Sequence, residues 1–493
     1  MNYLLIFPII FPILAGTLVA LIGFKNRKAR NIYILAASLI NSLLILLVLL
    51  NADKIGSLHF LNISKGLPLA LSADGMSRIF ASLIALLWPI AVCYAIEYME
   101  HEGGENVFYT FYLITYGITT GLAFSDNLLT LYLFYEFLTL VTLPIVMHGM
   151  KEKNIAAGRK YVLYSIGGAA FAFIGMVVAL NYAGSTEFVY GGLFTNILGT
   201  EEADVMRFIF VLTFFGFGVK AAIFPLHGWL PTASVAPTPV TALLHAVAVV
   251  NCGAFAIIRV IYFIFGTELL YGTWAQELCL IMTVVTILYG SSMALKEQHF
   301  KKRLAYSTIS NLSYMLFGAA LMTPEGLTGS LAHFVFHGII KITLFFVAGI
   351  VLCKYEKMYV DELYGFGRKM KITFAAFVIA GLGLMGVPPT IGFASKWQLI
   401  TGAAGSHTVT ATIGIIAILI SAVLTSIYIF SLIFRAYFPG SGFKTDTIAE
   451  VKDPGPFMTV PLIILSVLII VMGIFSGPIV DHIYKVASAS LKF

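Results

Sequence analysis

The chain contains a long series of apolar stretches, and their length constrains its fold more than any other feature. About fourteen of them, each roughly twenty residues or longer, are centred near residues 13, 41, 86, 115, 137, 170, 215, 249, 285, 312, 340, 385, 423 and 467. Stretches of this length form helices that cross a bilayer, whereas barrel strands are about half as long. Only 11% of the residues are charged, against about 25% in soluble domains. The sequence therefore predicts an all-α polytopic membrane protein with about fourteen transmembrane helices.

Basic residues are distributed unevenly between the predicted loops. The loops that follow odd-numbered helices contain seventeen: Lys25, Arg27, Lys28, Arg30, Lys151, Lys153, Lys296, Lys301, Lys302, Arg303, Lys354, Lys357, Arg368, Lys369, Lys371, Lys444 and Lys452. The loops that follow even-numbered helices, together with the C-terminal tail, contain four: Lys54, Lys65, Lys485 and Lys492. Because cytoplasmic loops are enriched in lysine and arginine, we expect both termini on the non-cytoplasmic side of the membrane. The net charge of +6 follows from this asymmetry and does not indicate nucleic-acid binding.

The sequence lacks the usual motifs for cofactors. It contains no GxGxxG after a strand, no Walker loop and no HExxH, and its four cysteines do not have CxxC spacing. We therefore expect neither a cofactor nor a metal ion. Active transport by this chain would take its energy from an ion gradient or from a partner protein, and membership of a larger enzyme stays open.

Ionisable residues inside the apolar stretches are the main candidates for function. Glu136 lies in LLTLYLFYEFLTLVTLPIV, and Lys220 lies in FIFVLTFFGFGVKAAIFPLHGWL, five residues before Pro225. Intramembrane charges cost about 2.5–3.5 kcal/mol or more at the bilayer centre and usually mark ion pathways. Proline breaks a helix, and a broken helix at membrane depth needs protein or water around its free backbone groups. The alternatives are a purely structural role for Glu136 and a lysine that reaches the membrane surface for Lys220.

A second interrupted segment resembles the first. In GLGLMGVPPTIGFASKWQL, Pro388 and Pro389 precede Lys396. Paired interruptions in two halves of a chain are typical of duplicated transporters with sites near the bilayer midplane. We therefore predict broken helices at the seventh and twelfth positions. His245 follows the first break, where it is either a structural histidine or a proton relay.

The eleventh predicted helix contains a polar stripe. His333, His337 and Lys341 recur every four residues and so share one helix face. Tyr306 and Ser310 add hydroxyl groups to the preceding helix, where they form either part of a water chain or ordinary interhelical hydrogen bonds. The two histidines would suit a haem or quinone site, but they lack a carboxylate or thiol partner that would favour a metal. A redox membrane subunit and a stand-alone transporter of a small solute remain alternatives to a proton pathway.

Four segments carry a resemblance to a known family. KAAIFPLHGWLPTASVAPTPVTALLHA at 220–246, KKRLAYSTIS at 301–310, HGIIKITLFFVAG at 337–349 and GVPPTIGFASKW at 386–397 resemble motifs of the antiporter-like subunits. That family spans respiratory complex I, Mrp-type Na⁺/H⁺ antiporters and membrane-bound hydrogenase relatives. The resemblance covers nearly the whole chain. It implies fourteen helices, with two inverted five-helix repeats that we place at 107–263 and 275–437 within a single membrane domain of 1–493.

The resemblance also implies roles for individual residues. Glu136 and Lys220 would form a coupled acid–lysine pair, His245 would be a relay, Lys341 would link two half-channels, and Lys396 would be a terminal gate. The implied protein translocates H⁺, and possible Na⁺ transport is left open. Its partners would be other membrane subunits of a multisubunit antiporter or redox-driven pump in a prokaryotic-type cell membrane.

Two positions depart from the family pattern. Several relatives carry a lysine on the eighth helix where this chain has Asn251, so that His245 would carry more of the proton relay. An aspartate that usually precedes the paired lysines of the tenth-helix motif is replaced here by His299.

Overall fold

The protein is described by a computed structural model that covers residues 2–64, 67–440 and 449–490. Three of the loop lysines counted above, Lys65, Lys444 and Lys492, lie outside these described residues. The predicted all-α fold is confirmed, with one addition. The loop after the second helix forms an antiparallel hairpin of β1 (Leu58–Ser64) and β2 (Leu67–Leu71), which the sequence did not lead us to expect.

Helices account for almost all of the described chain. They are α1 (Phe7–Ile22), α2 (Arg27–Leu50), α3 (Gly75–Tyr98), α4 (Glu105–Ala123), α5 (Leu128–Val146), α6 (Glu152–Ala183), α7 (Glu202–Gly218), α8 (Trp229–Ala233), α9 (Thr238–Ala246), α10 (Val249–Arg259), α11 (Thr267–Leu270), α12 (Trp274–Lys296), α13 (Phe300–Ala320), α14 (Pro324–Tyr355), α15 (Phe366–Lys369), α16 (Lys371–Met385), α17 (Ile391–Gly405), α18 (Val409–Tyr437), α19 (Pro456–Ile474) and α20 (Ser476–Ser490). A π-helical turn, Val260–Phe265, continues α10.

Polar side chains and glycines mark the ends of several helices. Asp74, Asn127 and Thr323 precede α3, α5 and α14, and each accepts a hydrogen bond from the backbone N–H three residues later. These caps satisfy backbone donors that have no partner within the helix. Gly184 and Gly386 end α6 and α16 at φ values of +66° and +87°, a conformation that favours glycine.

Nine helical segments in the described ranges are long and apolar enough to span a bilayer individually, and α1 and α16 are shorter apolar helices. Each of the fourteen predicted centres falls within a helix or at its end, while the exact number of crossings stays a prediction. Burial differs sharply between the segments. Every residue from α9 to the π-helical turn is buried, as are 89% of the residues in the 18-residue apolar window of α14, against 33% in the corresponding windows of α2 and α19. The protein core therefore lies along α9, α10 and α14.

The helices are broken where prolines predicted it, and at one further point. Turns separate α7 from α8 over residues 219–228, and α16 from α17 over residues 386–390, as expected for the seventh and twelfth helices. A third interruption separates α9 from α10 at Val247 and Ala248, where no proline or glycine signals a break. His245 therefore lies near the end of a short helix, one residue before its last residue, Ala246.

Candidate functional site

Glu136 and Lys220 face each other at the first break. Glu136 lies on α5, and its Oε1 is 4.0 Å from Lys220 Nζ. The lysine side chain is fully buried, whereas the glutamate is 27% exposed. Lys220 Nζ also donates a hydrogen bond to the backbone oxygen of Tyr135 and lies 3.4 Å from the centre of the Tyr135 ring. The buried ammonium thus has one counter-charge, one carbonyl oxygen and one aromatic face.

The backbone around Lys220 is held in an unusual conformation. Ala222, two residues on, has a φ of +56°, which is uncommon for a residue with a side chain. Pro225 lies in the same turn segment, before α8 begins at Trp229. Gly253 of α10 packs directly on this segment, because a Cβ there would lie 2.5 Å from Ala221 N. Neighbouring packing therefore determines where the ammonium sits.

His245 lies beside the break between α9 and α10, with both ring nitrogens buried and without a hydrogen-bond partner among the described residues. Its ring stacks on Phe345 of α14 at a centroid distance of 4.5 Å. Asn251, the residue that replaces the expected lysine, donates from Nδ2 to the carbonyl oxygen of Ala246 at 2.8 Å. The polar side chains beside this break are therefore an imidazole and an amide. Buried nitrogens without a protein partner, such as those of His245, are commonly hydrogen-bonded by ordered water.

The polar stripe of α14 is fully inside the protein. Lys341 Nζ donates to Leu304 O at 3.1 Å and to the hydroxyl of Ser307. His337 has no partner on either ring nitrogen within the described chain, and its ring centre is 5.7 Å from that of His333. The ring of His245 packs on Phe345, and a Cβ on Gly338 of α14 would lie 2.8 Å from the carbonyl oxygen of Ala246. The α9 break and the α14 stripe therefore pack directly against each other.

His333 is held by hydrogen bonds on both sides of its ring. Nδ1 is 2.9 Å from Ser395 Oγ, and Nε2 is 3.1 Å from Asn311 Oδ1. Both nitrogens are thus engaged by protein groups, an arrangement that does not favour iron ligation. The histidine instead connects α14 with α13 and α17.

Lys396 lies on α17 beside the break between α16 and α17, and it neutralises the end of a helix. Its Nζ donates to the carbonyl oxygens of Leu384 and Met385, at 2.7 and 2.9 Å, which are among the last carbonyls of α16. The C-terminus of a helix carries partial negative charge, which favours a cation. Pro388 and Pro389 occupy the turn between α16 and α17. Among the ion pairs of the described residues, none includes Lys396 or Lys341.

The two predicted hydroxyl residues of α13 have different surroundings. Ser310 is buried and contacts the hydroxyl of Ser291 at 2.8 Å and that of Ser421 at 3.1 Å. Tyr306 instead lines a cavity of about 240 Å³ together with Lys160 and Glu297. The structure therefore places Ser310 among buried hydroxyl groups and leaves Tyr306 outside them.

A buried arginine was not among the residues that the sequence singled out. Arg259, at the end of α10, forms two hydrogen bonds with Asp74, at 2.5 and 2.7 Å, and a third with Ser77 at 2.9 Å. Its guanidinium group also lies 4.8–5.0 Å from three phenylalanine rings. The sequence signal was present, since Arg259 stands in the apolar run AIIRVIYF.

His299 begins α13 outside the membrane-spanning part. Burial and the neighbouring charges of Lys301 and Lys302 lower its pKa to about 4. The imidazole is therefore neutral at physiological pH. Compared with the aspartate expected there, the substitution removes a negative charge beside two lysines.

Fold and site together define a class: a polytopic membrane protein with buried lysines at broken helices along its interior. The chain belongs to the NADH:quinone oxidoreductase/Mrp antiporter transmembrane family, whose model matches residues 125–437. It is 30% identical over 419 residues to the NADH-quinone oxidoreductase subunit N of Desulforudis audaxviator, with 82% of each chain covered.

Solved structures show the same fold. A chain of the archaeal membrane-bound sulfane sulfur reductase superimposes with a TM-score of 0.86 at 21% identity, covering 99% of this chain and 97% of that one. A chain of the Mrp complex from a Dietzia species gives 0.84 at 19% identity, with the same coverage. The predicted resemblance is thereby confirmed: the chain is an antiporter-like, multi-pass membrane subunit related to subunits of bacterial and archaeal complexes.

Proposed function

We propose that this chain conducts protons through the membrane along Glu136, Lys220, His245, Lys341 and Lys396. The observation that carries the proposal is the Lys220 ammonium, which is fully buried at a helix break and faces a single carboxylate at 4.0 Å. Buried ionisable groups in membrane proteins are costly and mark ion or proton pathways. Family membership supports the same function.

The pair of Glu136 and Lys220 provides a charge-controlled switch. At an effective dielectric constant of about 20, two unit charges about 4 Å apart attract each other by about 4 kcal/mol. Protonation or displacement of Glu136 withdraws this stabilisation from the ammonium and favours release of its proton. The proton then passes by water to the free ring nitrogens of His245 and His337. Lys341 accepts it next, and Lys396 is the last station before release.

The remaining predicted residues divide by their surroundings. His337 belongs to the path because it shares the buried face of α14 with Lys341 and its ring nitrogens have no partner among the described residues. Ser310 joins the path through its hydroxyl contacts with Ser291 and Ser421. His333 positions the path, since its two hydrogen bonds hold α14 against α13 and α17. Tyr306 lies apart from this line.

The proposal includes a duplicated architecture in a single membrane domain of 1–493. The first half-channel lies in 107–263 and contains the break at Pro225, and the second lies in 275–437 and contains the break at Pro388 and Pro389. Each break is accompanied by a buried lysine, Lys220 or Lys396. This correspondence supports two inverted repeats with one proton site in each.

The orientation and partners of the chain follow from its loops and relatives. The excess of lysine and arginine in alternate loops supports a topology with both termini on the non-cytoplasmic side of a prokaryotic-type membrane. The relatives are named as subunits or chains of NADH-quinone oxidoreductase, the Mrp complex and the sulfane sulfur reductase complex. We therefore place this chain in a multisubunit antiporter or redox-driven pump.

The test uses the native complex that contains the full chain, purified and reconstituted into proteoliposomes. A potassium diffusion potential drives proton movement, which a trapped pH dye reports. We expect Lys220→Ala and Glu136→Ala each to reduce proton flux at least tenfold while the complex still assembles. Lys485→Ala is the matched control, because Lys485 is an exposed lysine on α20.

Wild-type flux in either Lys220→Ala or Glu136→Ala would overturn the proposal. Adding a sodium gradient of either direction determines whether Na⁺ is exchanged for H⁺. Flux that responds to sodium supports an antiporter. Flux that ignores sodium but follows electron transfer in the complex supports a redox-driven pump.

A further inference from the structure

A ladder of hydroxyl groups runs between α13 and α18, and Ser310 alone of its members belongs to the path described above. We use the name hydroxyl ladder for Ser291 of α12, Ser307, Ser310 and Tyr314 of α13, and Ser421, Thr425, Tyr428 and Ser431 of α18. All of them except Ser431 are buried. On α18 they recur every three or four residues and therefore share one face of the helix.

Ser421 is the centre of the ladder. Its hydroxyl lies 2.5 Å from that of Ser291 and 3.1 Å from that of Ser310, and it accepts a hydrogen bond from Tyr314 at 2.5 Å. Ser291 and Ser310 also contact each other at 2.8 Å. Four hydroxyl groups from three helices thus form one closed cluster, although side chain–side chain bonds are the least common type of protein hydrogen bond.

The ladder reaches both lysines of the second half of the chain. Lys396 Nζ lies 5.5 Å from the centre of the Tyr314 ring, at the Ser421 cluster. Lys341 donates to the hydroxyl of Ser307 on α13. On α18, Tyr428 donates to Thr425 at 3.3 Å, one helical turn from Ser421.

The other end of the ladder lies at the α12–α13 loop. Arg303 donates from one terminal nitrogen to Ser431 Oγ at 3.2 Å and from Nε to Glu297 O at 2.8 Å. Glu297 follows the last residue of α12 and is half-exposed. The hydroxyl groups therefore extend from the membrane surface at this loop to the buried lysines.

The position of Ser421 matches that of His245 in the other half. Ser421 follows Lys396 by twenty-five residues, as His245 follows Lys220. The first half also supplies an acid, Glu136, to its lysine, whereas Lys396 has no ion-pair partner in the part of the chain that the structure describes. The second half thus has hydroxyl groups near its lysine where the first half has ionisable groups.

We infer that the hydroxyl ladder relays protons between the α12–α13 loop and Lys396, with water filling the gaps. This inference rests on the proposed function. A hydronium ion at the loop gives a proton to the first hydroxyl oxygen and becomes water, each hydroxyl passes its own proton onward, and the neutral amine of Lys396 receives the last one through a bridging water. No hydroxyl group retains a charge, and rotation of the O–H bonds resets the chain.

The test compares two variants of equal shape. Ser421→Thr keeps the hydroxyl group, and Ser421→Val replaces it by a methyl group. In proteoliposomes of the native complex, we expect the threonine variant to conduct at least five times more protons than the valine variant. Ser330→Ala is the control, because Ser330 is a buried hydroxyl on α14 whose one hydrogen bond among the described residues goes to Met315 O. We expect this variant to conduct protons at the wild-type level.

Equal flux in Ser421→Thr and Ser421→Val, both assembled, would overturn the inference. If neither assembles, Tyr314→Phe removes a single oxygen atom and decides the question: reduced flux supports the relay, and wild-type flux refutes it. Lys220→Ala, measured in the same preparation, separates the two proposals. Normal flux in Lys220→Ala refutes the proposed function itself. Loss of flux in Lys220→Ala, together with equal flux in the two Ser421 variants, refutes only the relay.

Discussion

A methyl group added at Gly253 should disturb the Lys220 site without removing any of its chemical groups. The Cβ of Gly253→Ala would lie 2.5 Å from Ala221 N and 2.9 Å from Lys220 C. Both are backbone atoms, so no side-chain rotation relieves the contact. Because carbon atoms pack at about 3.5–4.0 Å, α10 and the Lys220 segment must separate by about 1 Å.

The size of the effect follows from the ion pair. Lengthening the Glu136–Lys220 distance from 4.0 Å by about 1 Å weakens a Coulomb attraction of about 4 kcal/mol by about 0.8 kcal/mol at an effective dielectric constant of about 20. That difference is about fourfold in an equilibrium constant. Overpacking costs about 1–3 kcal/mol of stability, and the gain in helix propensity from glycine to alanine offsets up to about 1 kcal/mol of it.

The assay is proton flux in proteoliposomes of the native complex, with the thermal unfolding midpoint measured alongside. We expect Gly253→Ala to lower flux about fourfold and to lower the midpoint slightly. Gly167→Ala is the control, because Gly167 lies on the exposed face of α6 with no atom within 4 Å of an added Cβ. Wild-type flux in Gly253→Ala would refute the claim that packing of α10 on this segment sets the geometry of the ion pair.

Two further predictions concern charged groups away from the proposed path. Asp74→Asn leaves Arg259 buried without its counter-charge, which should cost about 3–5 kcal/mol of stability. The same change at the exposed Asp53, the partner of Arg78, should leave the thermal midpoint almost unchanged. Equal shifts of the midpoint in the two variants would contradict the reasoning. His299 has a folded-state pKa of about 4 against its ordinary 6.5 because it is buried, so its contribution to stability is present above pH 6.5 and is lost as the pH falls towards 4. His299→Gln should therefore flatten the fall of the thermal midpoint in that window, and parallel curves for variant and wild type would exclude this origin.

Several features of the site could be predicted because they depend on local sequence. Charged residues within apolar stretches identify Glu136, Lys220 and Lys396 directly from the order of amino acids, since the cost of burying a charge does not depend on which helices surround it. Prolines identify two of the breaks, because proline removes a backbone donor wherever it stands. The third break, beside His245, has no such residue, and so no local signal indicates it.

Other features depend on which segments meet in space. The pairing of Arg259 with Asp74 joins residues 185 positions apart, and no pattern along the chain relates them. The cluster around Ser421 is similar, because serine and threonine in a membrane helix often bond only to their own backbone. Only their neighbours on other helices convert them into a ladder.

The amino-acid sequence by itself determined that this protein is a bundle of membrane-spanning helices, that it is interrupted at prolines, and that it keeps charges in its apolar interior. These properties follow from the free-energy cost of placing backbone and ionised groups in hydrocarbon, which applies to each segment separately. The tertiary structure alone decided that Lys220 faces a carboxylate while Lys396 faces helix carbonyls and the ring of Tyr314. The reason is that the attraction between two charges depends on the distance between them, and distances of a few ångströms are set by packing between helices.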